Sequence, residues 1–182
     1  MIKDDAKLVL DFWFSDTAKP FWFAKSDGFD ALLKDKFLVI LQSASLGECE
    51  DWRNSVQGRL AEIIVLDQFS RNIYRNMPSA FAQDAMAVAL AQELVKQPDF
   101  AQLSISERNF ALMPFMHSES KVIHKKAVPL FEKYADKNTL DFELKHKVII
   151  DRFGRYPHRN TILGRMSSDE ELAFLNEPNS SF

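Results

Sequence analysis

Three stretches of the sequence place charged side chains among apolar ones, and these are where chemistry could occur. The first runs from Arg59 to Arg75 and holds Asp67 in an apolar segment. On a helix, Arg59, Ile63 and Asp67 share one face, and Arg71 lies one turn beyond. A carboxylate buried there is costly unless a cation or several donors meet it. Asp67 is therefore part of a structural Asp–Arg network, or it is a general base or the group that orients one.

The second stretch runs from Arg108 to Glu119. Ser118 fits an N-cap, and Glu119 fits the positive first turn of the helix that would follow. In one interpretation, the start of a helix alone explains the presence of Ser118 and Glu119. In the alternative interpretation His117 lies just outside the helix, where its imidazole can reach across the mouth of a pocket and act as an acid or base.

The third stretch, from His146 to Arg165, is the densest in charge. Four of the nine arginines of the chain fall between positions 152 and 165. His146 shares a helical face with Ile149 and Ile150, which predicts that it points inward. Guanidinium groups suit two-pronged contact with a carboxylate or phosphate. These arginines either fix the loop through carbonyls and salt bridges or converge on an anion.

Two sets of candidate residues follow from these stretches. The candidate acid–base residues are His158, His117, Asp67 and Glu119. The candidate ligand-binding residues are Arg59, Arg71, Arg108, His146, Arg152, Arg155, Arg159 and Asn160. The leading hypothesis is a pocket that binds a small anion or an acidic peptide end. The alternatives are a hydrolase or lyase whose histidine is oriented by Asp67 or Glu119, and a protein-interaction scaffold.

Metal and nucleophile chemistry have weaker support in the sequence. His117 and His124 are seven residues apart, about 10.5 Å of helix rise, whereas each ligand must lie within roughly 2.1 Å of a metal. A metal site would have to be assembled in space from His117, His146, His158 and Asp67, so no metal and no cofactor is assigned. Cys49 lies in an acidic run that should raise its pKa and reduce its reactivity.

Composition narrows the class of protein. The chain has 182 residues, 46% of them hydrophobic, which predicts one domain over residues 1–182. A net charge of −3 and a pI near 5.8 argue against a nucleic-acid partner. The longest uncharged stretch, Phe37–Gly47, is shorter than the ~18 apolar residues of a membrane span. One cysteine and an N-terminus unlike a signal peptide favour the cytoplasm. The oligomeric state is not indicated.

The elements that must position these residues are helices, because apolar residues recur at helical spacing along the whole chain. The predicted helices lie at about residues 4–14, 27–47, 51–69, 79–96, 104–114, 118–131, 139–152 and from 167 onward. A Ser–Glu capping box begins the helix at Ser104 and another begins the last one at Ser167. Pro129 should bend its helix. The fold class is therefore all-α, with about eight helices stacked as antiparallel pairs.

Several strings in these segments resemble the bacterial family catalogued as domain of unknown function 924. The strings are Leu10–Phe14, Gly58–Leu60, Leu66–Phe69, Arg71–Asn72, Ala80–Asp84, Met113–Phe115, His117–Glu119, Arg152–Asn160, Leu163–Arg165, Phe174–Leu175 and Ser180–Phe182. The resemblance covers essentially the whole chain, and it implies a tetratricopeptide-like, all-helical fold. It implies no activity, because the family is named for having none assigned.

Overall fold

The computed structural model describes residues 3–178 and 180, so Ser181 and Phe182 of the last family string lie outside the described residues. Within the described part the chain is helical and contains no strand, which confirms the all-α class. The α-helices are α1 (Asp4–Trp13), α2 (Asp27–Ser45), α3 (Val56–Ile64), α4 (Ser70–Ile73), α5 (Asp84–Leu94), α6 (Ile105–His117), α7 (Lys121–Tyr134), α8 (Lys137–Phe153) and α9 (Asp169–Phe174).

The helices α3 and α4 are joined without a break by a π-helical turn, Val65–Phe69. Together they form one rod, so the described chain contains eight rods, as the periodicity predicts. The rod begins later than predicted, because Glu50–Asn54 is a 3-10 turn and Ser55 caps α3 by accepting from the Gly58 N–H. A π turn accommodates one extra residue and commonly occurs at functional sites. Here it carries Asp67.

Helix α6 runs through Pro114 to His117, so the predicted end near Pro114 is wrong. Proline has no N–H and removes one helical hydrogen bond, but the helix continues past it. His117 therefore occupies the last turn instead of the loop. Ser118 is the C-cap of α6, and the N-cap of α7 is Ser120, whose side chain accepts from the Ile123 N–H.

Helix α6 is central to the packing, since it contacts α3, α5, α7 and α8. Residues 118–120 separate α6 from α7 and residues 135–136 separate α7 from α8, and such short links make consecutive helices antiparallel neighbours. A tetratricopeptide-like stacking of these pairs stays a prediction. The aromatic core lies between α1, α2, α6 and the π turn, where Trp13 contacts Phe69 and Phe110 with ring centroids 5.5 and 5.4 Å apart.

None of the helices in residues 3–178 combines the length and the apolar character that a membrane crossing needs. The longest, α2, has 19 residues but carries charged side chains at several positions along its length.

Candidate functional site

Asp67 is fully buried, and donors from two helices meet its carboxylate. His117 Nδ1 lies 2.8 Å from Oδ1, and Arg71 lies 3.0 Å from the same oxygen. Gln68 donates to Oδ2 at 2.6 Å. Burial by itself would raise the pKa of Asp67, but Arg71 and His117 hold that pKa well below its usual range. Asp67 is therefore an ionised carboxylate inside the protein.

His117 is held at the end of α6 and keeps 17% of its side chain exposed. An ionised carboxylate only accepts hydrogen bonds, so Nδ1 carries the proton that it shares with Asp67. The other ring nitrogen, Nε2, has no hydrogen-bond partner among the described residues. Burial lowers the pKa of His117, and the Arg71 charge lowers it further. At neutral pH the ring is therefore uncharged, with a lone pair on Nε2.

Asp84, in the first turn of α5, joins two arginines from distant parts of the chain. Its carboxylate accepts from Arg71 at 3.1 Å and from Arg159 at 2.9 Å. Arg71 is the same side chain that pairs with Asp67. A continuous chain of ion pairs thus runs from Asp67 through Arg71 and Asp84 to Arg159.

The guanidinium of Arg159 lies between two aromatic rings, 4.5 Å from the Phe81 centroid and 4.6 Å from that of Tyr156. Its NH2 donates to the carbonyl oxygen of His117 at 3.1 Å. That carbonyl belongs to the last turn of α6, where no helical N–H is left to pair with it. Arg159 is 5% exposed, and its buried Nε has no hydrogen-bond partner among the described residues.

A cleft of about 280 Å³ opens beside this ion-pair chain. Its lining combines apolar side chains with charged ones: Pro78, Phe81, Ala82, Asp84, Ala85, Glu119, Arg159 and Leu163. Asp84 and Arg159 belong both to the cleft and to the ion-pair chain. Asp84 connects the cleft to Asp67 through Arg71, and Arg159 connects it to the backbone carbonyl of His117.

The predicted position of Glu119 in the first turn of a helix is wrong, because it precedes Ser120, the N-cap of α7. Glu119 instead fixes the loop after α8. Both of its oxygens accept from Arg165, at 2.6 and 2.9 Å, and Oε1 also accepts from the Tyr156 N–H. Although burial alone would raise its pKa, these donors lower the pKa of Glu119. Its side chain faces the cleft with its charge offset by Arg165.

Three of the four histidines of the chain lie around the buried ring of Tyr156, and the fourth, His117, lies beside His146. The rings of His158, His146 and His124 have centroids 5.5, 5.6 and 6.5 Å from it, and His117 lies 6.4 Å from His146. His124 is fully buried and contacts Glu143 at 2.8 Å. His146 donates from Nδ1 to the Phe142 carbonyl, consistent with its predicted inward orientation. The sequence analysis named His117, His146 and His158 as groups that could meet in space, but no spacing along the chain relates them to Tyr156.

Residues 9–179 match the family described as "Bacterial protein of unknown function (DUF924)". The chain belongs to this family. It is also similar to a solved structure of a protein of unknown function from Agrobacterium tumefaciens, with 32% sequence identity and a TM-score of 0.87. That similarity covers 94% of this chain and 96% of the other. None of the curated proteins matches the chain.

In this DUF924 chain, only part of the predicted arginine set converges. Arg71 and Arg159 meet at Asp84, whereas Arg108 spends its donors on the carbonyls of Ala101, Leu103 and Tyr134. Those carbonyls lie near helix ends. Arg108 therefore has a structural role, which is one of the two alternatives that the sequence left open for the arginines.

Four other predicted ligand residues also lie apart from the cleft. Arg152 pairs with Glu170, and Arg155 pairs with Glu171. Asn160 is buried and accepts from Arg165 while donating to Ser167, so it positions the loop. Arg59 is half-buried on α3 and takes part in no ion pair among the described residues.

The sequence did not single out Asp84, Phe81, Tyr156 or Gln68 as site residues. All four lie in strings shared with the DUF924 family: Gln68 in Leu66–Phe69, Phe81 and Asp84 in Ala80–Asp84, and Tyr156 in Arg152–Asn160. Those strings were the available signal. No local spacing points to Asp84, because its partner Arg159 lies 75 residues away. Gln68 follows Asp67 directly, and within the π turn the two neighbouring side chains form a hydrogen bond.

The described residues contain no group of three histidine, cysteine or carboxylate side chains placed to hold a metal ion. Cys49 is a buried free thiol whose pKa is raised to about 11, chiefly by burial and then by Glu62. This agrees with the sequence-based prediction of a raised pKa and reduced reactivity, although burial raises the pKa more than the acidic run does.

Proposed function

We propose that the cleft and the Asp67–His117 pair beside it form the active site of an enzyme, a hydrolase or lyase, in which His117 transfers protons. One observation carries this proposal: the 2.8 Å contact between His117 Nδ1 and the buried carboxylate of Asp67. It fixes the tautomer of the imidazole and leaves Nε2 as the basic nitrogen. A base that is oriented by a second group is the usual arrangement for this chemistry.

The electrostatics support the same role. A neutral His117 can accept a proton from water or from a substrate carbon, and the resulting imidazolium lies against the ionised Asp67. The proton on Nε2 can then pass to the leaving group, which restores the neutral ring. Arg71 and Arg159 supply positive charge close to the pair, where negative charge that develops on a substrate would be stabilised.

Anion binding without chemistry is the second candidate function, and it has a separate observation in its favour. Arg71 and Arg159 come from distant parts of the chain and converge on a single carboxylate at the wall of the cleft. The interaction-scaffold hypothesis requires a broad concave groove, and the cleft of about 280 Å³ is small for that role. We place the activity in the cytoplasm, because a lone free thiol suits a reducing compartment.

The substitution His117→Gln tests the proposal. Wild type and variant are assayed on panels of ester, amide and phosphoester substrates and of 2- and 3-hydroxy acids, whose dehydration reports lyase activity. Loss of the general base should lower kcat/KM by about 10²–10⁴-fold on whichever substrate the wild type turns over. The pH profile of kcat/KM should show an ionisation below 6.5 that is absent from the variant.

A nitrogen-15 NMR spectrum of His117 gives a readout that needs no substrate. It should show the Nδ1–H tautomer and a neutral ring at pH 7. Asp30→Asn is the matched control, because Asp30 is a half-buried aspartate paired with an arginine, Arg75, and it lies outside the cleft. An Nε2–H tautomer, or a His117→Gln enzyme with unchanged kcat/KM, would refute the role of His117.

A further inference from the structure

Asp84 occupies a position that is built for an oxyanion. Two guanidinium groups, from Arg71 and Arg159, point at one carboxylate, with nitrogen–oxygen distances of 2.9 to 3.1 Å. Two like charges this close repel each other unless an anion lies between them. Planar guanidinium forks recognise carboxylate and phosphate oxygens in this way. In the described chain, the anion is the side chain of Asp84 itself.

The surroundings of Asp84 indicate that a ligand could reach the same position. Asp84 lines the cleft and keeps 17% of its side chain exposed. Arg159 also lines the cleft, is 95% buried and retains one unpartnered donor, the buried Nε. The protein therefore does not exhaust the hydrogen-bonding capacity of this guanidinium.

The remaining walls of the cleft are mostly apolar, since Phe81, Ala82, Ala85 and Leu163 face it. A ligand with an oxyanion at one end and a short apolar body would match both parts. The cleft volume of about 280 Å³ lies just below the usual range of small-molecule pockets, about 300–1,000 Å³, which favours a small acid over a peptide. Glu119 also lines the cleft, but Arg165 engages both of its oxygens.

We infer, building on the proposed active site, that its substrates are small organic acids whose carboxylate or phosphate displaces Asp84 from Arg71 and Arg159. Asp84 is then a specificity-determining residue: it satisfies the two arginines in the empty protein and competes with the incoming anion. Asp84 can leave because it lies in the first turn of α5, where a carboxylate is favourable when it turns toward solvent. The site that the substrate anion would then occupy is next to His117, because the backbone carbonyl of His117 accepts a hydrogen bond from Arg159.

Calorimetric titration with small probe anions tests this inference. Benzoate and phenyl phosphate are the two oxyanion probes, and benzamide is the uncharged match for benzoate. They are titrated into the wild type, Asp84→Ala and Asp84→Asn. Removing the internal competitor should tighten benzoate or phenyl phosphate binding by about tenfold or more, the effect of one charge-assisted hydrogen bond. The ratio between the affinities of the two probes shows whether carboxylate or phosphate is preferred. The affinity for benzamide should not increase in either Asp84 variant.

Asp84→Asn keeps the shape of the side chain, so it replaces Asp84→Ala if the alanine variant fails to fold. Asp30→Asn, which breaks a half-buried Asp–Arg contact outside the cleft, should bind the probes as the wild type does. The inference is overturned if neither Asp84 variant binds benzoate or phenyl phosphate more tightly than the wild type. It is also overturned if their affinity for benzamide rises equally, or if Asp30→Asn gains as much affinity for the two oxyanion probes.

A combined variant separates this inference from the proposed function. Asp84→Asn with His117→Gln should bind benzoate as tightly as Asp84→Asn alone, because His117 acts in proton transfer and not in holding the anion. If anions bind as expected but His117→Gln leaves turnover unchanged, the catalytic proposal fails alone. If His117→Gln abolishes turnover but the Asp84 variants gain no affinity, the anion inference fails alone.

Discussion

At the scale of single residues, Asp67 shows how a buried charge is tolerated in this protein. Arg71 neutralises it, and His117 and Gln68 add hydrogen bonds, so no carboxylate oxygen is left without a donor. A buried ion pair of this kind adds little stability over an apolar pair of the same size, but removing one partner is costly. The arrangement fits a site whose purpose is to orient His117.

Asp67→Asn should therefore destabilise the fold. It leaves the largely buried Arg71 with Asp84 as its only carboxylate partner among the described residues, and breaking a buried pair typically costs about 3–5 kcal/mol. Urea unfolding at neutral pH measures the loss. Asp16→Asn is the control, because Asp16 is fully exposed where it pairs with Lys19, and no measurable change is expected there. An Asp67→Asn protein as stable as the wild type would mean that Asp67 is not ionised when buried.

The residue-scale prediction from sequence succeeded where partners are one helical turn apart. Asp67 and Arg71 were expected to share a face and do form an ion pair. His117 lies 50 residues from Asp67, and Arg159 lies 75 residues from Asp84, so no local spacing relates them. Such pairs depend on how helices pack, and packing is not encoded in any short window of the chain.

At the scale of elements, helix periodicity predicted the rods but not their ends. The last helix shows why, because Ser167 with Glu170 and Ser168 with Glu171 have the same capping-box spacing. The structure uses Ser168 and Glu171. Ser167 is occupied by a hydrogen bond from Asn160, and Glu171 pairs with Arg155, so contacts from other segments decide between two locally equivalent caps. The π turn at Asp67 likewise has no sequence signal.

The N-terminus of α3 supplies an element-scale prediction, because this helix carries the π turn to Asp67. A Cβ at Gly58 would lie 1.9 Å from the carbonyl oxygen of Trp52, which is backbone and cannot rotate away. Gly58→Ala should therefore destabilise the protein by about 3 kcal/mol, the upper range for overpacking. A Cβ at Gly28, in the first turn of α2, has nothing within 4 Å. Gly28→Ala should instead stabilise by up to about 1 kcal/mol.

Thermal unfolding of the two glycine variants beside the wild type checks this pair of expectations. The melting temperature should fall for Gly58→Ala and rise slightly for Gly28→Ala. Equal shifts in both variants would mean that the 3-10 turn Glu50–Asn54 gives way at little cost.

At the scale of the whole molecule, the ion pairs around the site balance one another's charge. Burial, however, shifts the pKa values of the histidines beside it. The pKa of His146 is lowered to about 3 and that of His158 to about 4, in both cases mainly by burial. Arg159 lowers the pKa of His158 further, and the other histidines lower that of His146. Glu143 has its pKa raised by burial, so it acts in the opposite sense. The burial of His117, His146 and His158 in this cluster thus requires them to stay neutral.

A depressed histidine pKa means that the unfolded chain binds more protons than the folded one between the two pKa values. The stability from His146 and His158 is therefore complete above the unfolded value of 6.5 and is lost as the pH falls toward 4 and 3. Each group should contribute about 2 kcal/mol of this loss by about pH 5. Glu143 offsets part of it, because a group with a raised pKa stabilises the fold as the pH falls.

His146→Asn isolates one of these contributions. Asparagine retains a donor for the Phe142 carbonyl but does not titrate, so the variant lacks the proton uptake that His146 undergoes on unfolding. Urea unfolding at about pH 7.5 and about pH 5 should show that the wild type loses about 2 kcal/mol more than the variant across this interval. The comparison is between pH values within each protein, so a constant cost of the substitution cancels. An equal loss in both proteins would mean that His146 is solvated, and that the cluster around Tyr156 opens far enough in the native state to admit water and protons.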